Sequence, residues 1–164
     1  MPKHQLRPQG DFPTAGLARR FAAIFYDFLL CVALILVVGF AYQSIRILIH
    51  GEAQMRQLAE AGGLSGDPLL ATLVVFSLFG FFAKFWTHTG QTLGMQVWSI
   101  RVQNKDGSAI SLWQALLRFV IAIGSWLTLG LGFFWSLWDK ENRTWHDIYS
   151  ETQVVRLPKG THKK

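Results

Sequence analysis

Charged residues and cysteine are both scarce in this chain. Asp, Glu, Lys and Arg make up only 16% of its 164 residues, whereas about 25% is usual in soluble globular domains. The single cysteine, Cys31, excludes an internal disulfide. Hydrophobic residues make up 51% of the sequence, which is more than a soluble core of this size requires. The composition therefore predicts an integral membrane protein.

Motifs for catalysis, metal binding and nucleotide binding are also missing. The chain contains no G-x-S-x-G, H-E-x-x-H or P-loop stretch, and its histidines and acids lack the spacing of metal ligands. A pI near 9.8 is compatible with nucleic-acid binding, but basic residues that flank membrane segments are a commoner source of such a charge balance. We therefore predict no enzymatic activity, no cofactor, no metal and no nucleic-acid partner.

Three long apolar runs account for the hydrophobic content. The first, FLLCVALILVVGFAY, covers residues 28–42 without a charge, and the second, Pro68–His88, is interrupted only by Lys84. The third, Phe119–Trp138, is uncharged. Because about 20 apolar helical residues cross a bilayer, the first two runs are predicted to span the membrane. The first run is longer than the apolar part of a signal peptide and lacks an A-x-A-like cleavage site, so we expect it to be retained.

Polar segments surround the first two runs. Residues 1–18 contain prolines and glycines among polar residues, which predicts a disordered tail. Charged residues four apart in the segment 52–60 predict a short exposed helix. Asp67 followed by Pro68 predicts the N-cap and first residue of the second spanning helix, and Gly90 is placed to end that helix.

A small β element is predicted after the second run. Residues 98–103 alternate between apolar and polar side chains, which is the period of a half-buried strand. The stretch NKDGS at 104–108 supplies turn residues, so residues 108–111 are one candidate partner strand. Residues 152–156 are also strand-like and are a further candidate.

A helix is predicted to begin after Ser111. Ser111 and Gln114 have the spacing of a capping box. Residues 112–123 are therefore predicted to form an amphipathic helix at the membrane interface, and the pair Gly124 and Ser125 is expected to break it.

Basic residues near the runs decide the predicted orientation. If all three runs cross from a cytoplasmic N-terminus, the basic C-terminal segment lies outside, against the positive-inside rule. If only two runs cross and the third dips into the bilayer and returns, about twelve basic residues lie inside and two, Arg46 and Arg56, lie outside. Hydropathy opposes this arrangement, because Phe119–Trp138 is long enough to cross. We favour the dip, and the spanning alternative stays open.

Asp27 lies near the start of the first run. A carboxylate at the centre of a spanning helix costs about 2.5–3.5 kcal/mol, so it calls for a cationic partner or a proton. If the helix enters the membrane at Arg20, Asp27 lies roughly 10 Å deep, and Lys84 on the returning helix lies roughly 6 Å deep. The preferred contact is therefore an Asp27–Lys84 pair, with Arg118 as the rival partner.

Two interpretations of this pair stay open. It either only fixes how the helices pack or forms a proton- or cation-handling site, because ionisable groups inside membranes often mark pathways or relays. Near the C-terminus, Asp147 has capping-box spacing from Thr144, and the neighbouring His146 titrates near neutral pH in its usual state. The candidate charge network comprises the basic and acidic residues closest to the runs: Arg20, Asp27, Lys84, Arg118 and Asp147.

These residues together resemble the RDD family of small bacterial integral membrane proteins. The family is named for an arginine at the start of its first membrane helix, an aspartate within that helix and a second aspartate toward the C-terminus. Arg20 and Asp27 match the opening element, and TWHDIYSETQVV resembles the closing element, with Asp147 as the second aspartate. The stretch GQTLGMQVWSIRVQNKDGSAISLWQALLR is similar to the family's G-x-T-x-G segment, strand, D-G turn and later arginine, here Arg118. The resemblance covers roughly residues 17–155.

The chain departs from the family pattern at two places. Met95 and Gln96 replace a commonly basic pair, and Ser150 and Glu151 stand where small Ala-Gly is usual. The resemblance implies transport of unidentified ligands, with monovalent cation and proton exchange proposed for some members of the family.

The predicted fold is an all-α integral membrane protein with two transmembrane helices, a third membrane-embedded region that re-enters or spans, and a small cytoplasmic β element. The predicted domains are a disordered tail at 1–18, a membrane domain at 19–155 and a basic C-terminal tail at 156–164. The first functional hypothesis is transport of small ions or ligands through Asp27 in the inner membrane of a bacterium. The alternative is a non-transporting assembly or accessory protein that docks a partner through its cytoplasmic face.

The predicted partners are the lipid bilayer and, for the transport hypothesis, further protein. Two or three helices are too few to enclose a pathway, so transport predicts a homo-oligomer or a partner membrane subunit.

Overall fold

The computed structural model describes residues 4–60 and 66–158. The chain divides into two compact units, one made of Met1–Phe28 with Phe81–Lys164 and the other of Leu29–Gly80. Within the described ranges, two helices are long and apolar enough to cross a membrane: α1 (Leu17–His50) and α3 (Pro68–His88). The two predicted spans are thereby confirmed.

Shorter elements complete the chain, and the third apolar run forms a bent pair of helices. A short helix, α2 (Glu52–Glu60), follows α1, as predicted. After α3 comes α4 (Leu93–Val97). The bent pair consists of α5 (Leu112–Leu127) and α6 (Leu131–Phe134), the latter continued by a 3₁₀ turn at Trp135–Leu137, with an angle of 110° at the break. The last helix, α7 (Trp145–Tyr149), precedes the final strand. A mostly helical chain with a third helical region in addition to its two spans is therefore confirmed.

In the unit Leu29–Gly80, Asp67 organises the start of α3. Its Oδ1 accepts a hydrogen bond from the backbone N–H of Leu69 at 3.0 Å, so the predicted N-cap is confirmed. Its Oδ2 accepts from the hydroxyl of Tyr42 at 2.7 Å and from Nη1 of Arg46 at 2.8 Å. The hydrogen bond from Tyr42 and the nearby positive charge of Arg46 keep the pKa of Asp67 below its usual range. One carboxylate thus links the beginning of α3 to the last turns of α1.

In the other unit, two antiparallel strands form the sheet. Strand β1 (Ile100–Gln103) pairs with β2 (Gln153–Arg156), so that Ile100 faces Arg156 and Gln103 faces Gln153. The predicted strand and its C-terminal partner are confirmed. The alternative partner, residues 108–111, forms no named strand within the described part of the chain.

The prediction of a disordered tail at residues 1–18 is wrong for the part of the segment that the structure describes. Residues 13–15 pair with β2, where the N–H of Ala15 donates to the carbonyl of Val154 at 2.8 Å and the N–H of Arg156 donates to that of Pro13 at 2.8 Å. Near the D-G turn, the N–H of Ala109 donates to the carbonyl of His4 at 2.8 Å. Leu6 and Ala15 are buried. Proline-rich composition is typical of a segment that cannot bury apolar surface on its own. Here β2 and the segment around the D-G turn provide its backbone hydrogen-bond partners and cover its apolar side chains.

This N-terminal segment also explains why β1 is buried on both faces and not on one. The guanidinium of Arg101 donates to the carbonyl of Pro8 at 3.1 Å and, through Nε, to Oε1 of Gln103 at 2.9 Å. Its Cζ lies 5.5 Å from the ring centre of Phe12. The polar side of the strand therefore faces protein and not water.

Helix α5 begins as predicted but continues past the expected break. Ser111 and Gln114 form the complete capping box. The predicted break at Gly124 and Ser125 is wrong, because one glycine is tolerated in a helix and the hydroxyl of Ser125 donates to the carbonyl of Ile121 at 2.9 Å. The chain turns instead at residues 128–130, where Gly130 has a φ of +83°.

The predicted boundary of the C-terminal tail at residue 156 is also corrected. Arg156 belongs to β2, and the buried Leu157 donates its N–H to the carbonyl of Ser99 at 2.8 Å. Residues 159–164 of the predicted basic tail lie outside the described residues.

Candidate functional site

Three members of the predicted charge network meet in one buried cluster. Nη1 of Arg20 lies 2.6 Å from Oδ2 of Asp147, and Nη1 of Arg118 lies 2.7 Å from Oδ1 of the same carboxylate. The side chain of Asp147 has no exposed surface. One carboxylate thus joins the first turn of α1, the middle of α5 and the first turn of α7.

The backbone around Asp147 completes its coordination. Oδ2 accepts a hydrogen bond from the N–H of Thr144 at 3.1 Å, so the carboxylate also serves the start of α7, as its spacing predicted. Arg20 donates from Nε to the carbonyl of Ala15 at 3.0 Å and from Nη2 to that of Asn142 at 3.1 Å. The guanidinium of Arg20 therefore ties together segments that are far apart in the sequence.

Arg118 completes the cluster from the side of α5. Its Nη1 also donates to the hydroxyl of Thr152, and its Cζ lies 5.4 Å from the ring centre of Trp86 near the end of α3. Nε of Arg118 is buried and has no hydrogen-bond partner among the described residues. Two guanidiniums thus share one carboxylate, and the cluster carries a net positive charge.

The electrostatics of Asp147 and His146 follow from their burial and from these neighbours. Burial by itself would raise the pKa of Asp147, but Arg20 and Arg118 outweigh it and hold the pKa well below its usual range. Burial lowers the pKa of His146 to about 3, so its imidazole is neutral at physiological pH. Its Nε2 lies 4.0 Å from Oδ1 of Asp147. The histidine is therefore a neutral neighbour and not a third cation.

Asp27 lies apart from this cluster and has different partners. Its Oδ2 accepts a hydrogen bond from the hydroxyl of Thr92, and its Oδ1 accepts from the backbone N–H of Gly94 at 2.9 Å. Thr92 is the N-cap of α4, and its hydroxyl also accepts from the N–H of Met95 at 3.2 Å. The carboxylate thus fastens α1 to the first turn of α4.

The close approach of α1 and α4 requires glycine at residue 94. A Cβ atom there would overlap the carbonyl oxygen of Ala23 and lie 2.8 Å from Oδ1 of Asp27. Gly90, the other glycine of the GQTLG stretch, has a φ of +71°, and a Cβ there would overlap the carbonyl oxygen of Val102. The two glycines and the threonine therefore allow this turn to contact α1 and β1 directly.

The predicted Asp27–Lys84 pair is wrong. Lys84 is exposed and forms no ion pair with a described residue, and the rival Arg118 binds Asp147. Depth along two helices does not show which donors are nearest. The turn after α3 brings the hydroxyl of Thr92 and the N–H of Gly94 within hydrogen-bond distance of the carboxylate of Asp27. Asp27 is therefore bound by two neutral donors and not by the lysine that was expected.

Sequence reasoning missed several of the residues that complete these contacts. The sequence places Thr92 and Gly94 only in the family's G-x-T-x-G segment and Thr152 only at the start of a candidate strand. A small polar residue between two glycines was the available signal, because that pattern is typical of a tight turn whose backbone approaches another group closely. Thr152 carried no comparable signal.

A polar cavity opens beside Asp147. It has a volume of about 480 Å³, within the range of small-ligand pockets. Its lining comes from the D-G turn, the first turn of α5 and the segment around α7: Asn104, Lys105, Asp106, Gln114, Arg143, Asp147, Ile148, Glu151 and Thr152. Glu151, on its rim, has a φ of +54°, a left-handed conformation that is unusual for a residue other than glycine.

The two apolar spans and the buried Arg–Asp–Arg cluster beside a small sheet define a class of small membrane-embedded proteins. The model of the RDD family matches residues 14–151, and the chain belongs to the RDD family. The resemblance drawn from the sequence is thereby confirmed.

The chain is similar in sequence to a curated bacterial protein. The chain is 32% identical over 99 residues to the uncharacterized protein YckC of Bacillus subtilis strain 168, which covers 57% of this chain. The match spans 64% of the length of that relative. No solved structure matches the chain.

Proposed function

We propose that this RDD-family protein is a membrane assembly or accessory protein that docks a partner through its cytoplasmic face. The observation that carries the proposal is that each carboxylate oxygen of Asp27 and Asp147 accepts from a donor of the protein itself. Asp27 is bound by Thr92 and Gly94, and Asp147 by Arg20, Arg118 and the backbone of Thr144.

Transport by an intramembrane aspartate needs a carboxylate that exchanges a proton or a cation with water. Asp27 is 6% exposed and Asp147 is 0% exposed. One donor to Asp27 is a backbone N–H at the start of α4, which cannot turn away without moving the helix. Removing the partners of a buried carboxylate costs several kcal/mol. These contacts therefore favour a structural role for both aspartates.

The polar cavity is the surface that we assign to the partner. Lys105, Asp106 and Glu151 are exposed at the cavity, and they offer charges of both signs. Strained backbone conformations tend to persist at functional sites. Glu151 holds a carboxylate at the rim in such a conformation, where the family usually has glycine. A polar segment of a partner protein that carries both charges fits this lining.

Cation-driven pH change in vesicles tests the accessory function against transport. Purified protein is reconstituted with a pH-sensitive dye inside, and gradients of Na⁺, K⁺ and Li⁺ are applied from outside. We expect no pH change above that of empty vesicles. The matched variants are Asp27→Asn and, as an exposed control aspartate, Asp11→Asn.

A flux that is present in the parent protein and in Asp11→Asn but lost in folded Asp27→Asn would overturn the accessory function. It would support the second candidate, monovalent cation and proton exchange, which rests on the family resemblance. Two spanning helices cannot enclose a pathway, so cation and proton exchange also requires a homo-oligomer or a partner membrane subunit. Cross-linking in the membrane measures whether the protein associates with a second copy or with another protein.

Docking at the cavity has its own test. A photoactivatable side chain is placed at Ile148, which lines the cavity, and at the exposed Asp11 as a control. We expect a discrete cross-linked protein from residue 148 that disappears when Glu151→Arg reverses the charge of the rim. A product that forms equally from residue 11, or that is unchanged by Glu151→Arg, would argue against docking at this cavity.

A further inference from the structure

The structure assigns the third apolar region to a single leaflet of the bilayer. The segment Leu112–Leu137 forms a re-entrant hairpin that enters and leaves by the face on which the two-stranded sheet lies. Its tip, residues 126–131, contacts the acyl chains of lipids. This inference does not depend on the proposed function.

The strongest argument is the pairing of strands on either side of the hairpin. Strand β1 ends at Gln103, before the hairpin begins, and β2 begins at Gln153, after it ends. The two strands are hydrogen-bonded to one another over four residue pairs. A two-stranded sheet cannot have its strands on opposite sides of a membrane. A single crossing of the bilayer by the chain between the two strands is therefore excluded.

The N-terminal segment lies on the same face. The N–H of Ala15 donates to the carbonyl of Val154 in β2, and Arg20 binds Asp147 beyond the hairpin. Residues before α1, between α3 and α5, and after α6 therefore share one side of the membrane. The described residues on this shared side are rich in basic groups: Arg7, Arg19, Arg20, Arg101, Lys105, Lys140, Arg143 and Arg156. The positive-inside rule therefore makes the shared side cytoplasmic.

Neither arm of the hairpin is long enough to cross. Helix α5 has 16 residues, about 24 Å at 1.5 Å per residue, and the second arm has only the 4 residues of α6 and the 3 of the 3₁₀ turn. The hydrocarbon core is about 30 Å thick. The bend of 110° prevents the two arms from adding their lengths along one axis.

The N–H groups of the turn at the tip are satisfied within the hairpin itself, as contact with lipid requires of backbone donors. The N–H groups of Thr128, Leu129 and Gly130 donate to carbonyls of α5 at 3.1, 3.1 and 2.7 Å. The N–H of Leu131 donates to the carbonyl of Thr128 at 3.2 Å, and the hydroxyl of Thr128 donates to that of Gly124 at 3.1 Å. These donors need neither water nor another helix.

The side chains at the tip are apolar and face outward. Leu127 is 81% exposed and Leu129 is 90% exposed, and Trp126 and Leu131 are also exposed. Trp135 in the second arm and Trp138 directly after it are exposed, and tryptophan is enriched at membrane interfaces. Acyl chains cover such a surface without a polar partner, which identifies lipid as the occupant.

Spin-label depth in lipid vesicles tests the hairpin. Cys31→Ser removes the native thiol, and a nitroxide is attached at Leu129→Cys or, as a control, at Glu141→Cys, which replaces an exposed acid shortly after the hairpin. We expect the label at residue 129 to collide with oxygen in preference to a water-soluble nickel complex, and to lie less than halfway through the bilayer. The label at residue 141 should show the opposite preference.

A reporter fused after Lys164 measures the side of the C-terminus. We expect a cytoplasmic reporter to be active there and a periplasmic one to be inactive. Periplasmic activity or a water-accessible label at residue 129 would overturn the single-leaflet hairpin. Spin–spin broadening between labels of two copies would overturn the contact of its tip with acyl chains. The thermal melting of each labelled protein is compared with that of the parent, so that an unfolded variant is not scored.

Discussion

Arg20 and Asp147 lie 127 residues apart in the chain, and their side-chain atoms Nη1 and Oδ2 lie 2.6 Å apart in the fold. The pair connects the first turn of the first spanning helix to the short helix that precedes the last strand. Because Arg118 binds the other oxygen of the same carboxylate, one aspartate holds together the N-terminal, middle and C-terminal parts of the unit.

Asp147→Asn is expected to destabilise the protein by about 3–5 kcal/mol, because it leaves two buried guanidiniums without their carboxylate. Thermal unfolding in detergent measures the loss. Asp139→Asn is the comparison, since Asp139 pairs with the half-exposed Arg143 and its hydrogen bonds to that residue lower its pKa to about 2. A loss from Asp139→Asn as large as that from Asp147→Asn would contradict the role of the buried cluster.

Gly94→Ala is expected to be strongly destabilising, because the added Cβ would overlap the carbonyl oxygen of Ala23. Gly124→Ala in α5 is the matched control, since no atom beyond its own stretch of helix backbone lies within 4 Å of the added Cβ. Alanine is better than glycine inside a helix by about 0.5–1 kcal/mol, so Gly124→Ala should stabilise. Melting temperatures of the two variants should therefore move in opposite directions, and equal shifts would refute the close contact of α1 and α4.

Thr92→Val is expected to cost about 1–3 kcal/mol, because it removes a hydroxyl that donates to the buried carboxylate of Asp27. A double-mutant cycle with Asp27→Asn isolates this interaction. The combined variant should lose less stability than the sum of the single variants. Strict additivity would mean that the two side chains do not depend on one another. Thr72→Val, at an exposed threonine of α3, provides the control.

Stability is expected to fall as the pH is lowered from about 6.5 toward 4.5. Burial lowers the pKa of His146 in the folded state to about 3, whereas an unfolded histidine titrates at about 6.5. Between these values the unfolded chain binds a proton that the folded chain does not, so stability rises with pH by up to about 1.4 kcal/mol per unit. The shifted titration of Asp147 contributes below this window, since its unfolded pKa is 3.8 and its folded pKa is lower.

The variant His146→Gln checks that assignment. Its unfolding free energy in detergent, measured at several values between pH 4.5 and 6.5, should depend on pH less steeply than that of the parent protein. The same slope in both proteins would mean that another group controls the pH dependence.

Glu151→Gly is expected to stabilise the fold by about 0.5–1 kcal/mol, because glycine adopts the left-handed conformation after α7 without strain. Glu151→Ala keeps the strain and removes only the carboxylate, so its melting temperature should stay close to that of the parent. If both variants melt alike, the backbone conformation is not the source of the difference.

The sequence alone was sufficient to predict the two spanning helices. The uncharged run after Asp27 and the Asp67–Pro68 start gave two spans, because hydropathy and capping are local properties of the chain. The capping box at Ser111 and the strand near Ile100 were predicted for the same reason. The strand near Val154 was one of two candidate partners, and the fold decided between them. The motifs around Arg20 and Asp147 were sufficient to identify the family.

The partners of the charges were decided only by the tertiary structure. Asp27 binds Thr92 and Gly94 and not Lys84, because the turn after α3 brings a hydroxyl and an N–H to its carboxylate. The order of residues 4–16 likewise comes from β2, Arg101 and the segment around the D-G turn, which offer hydrogen-bonding groups that composition does not reveal. Local patterns determine which elements form, whereas the choice among several possible donors depends on distances that exist only once the chain has folded.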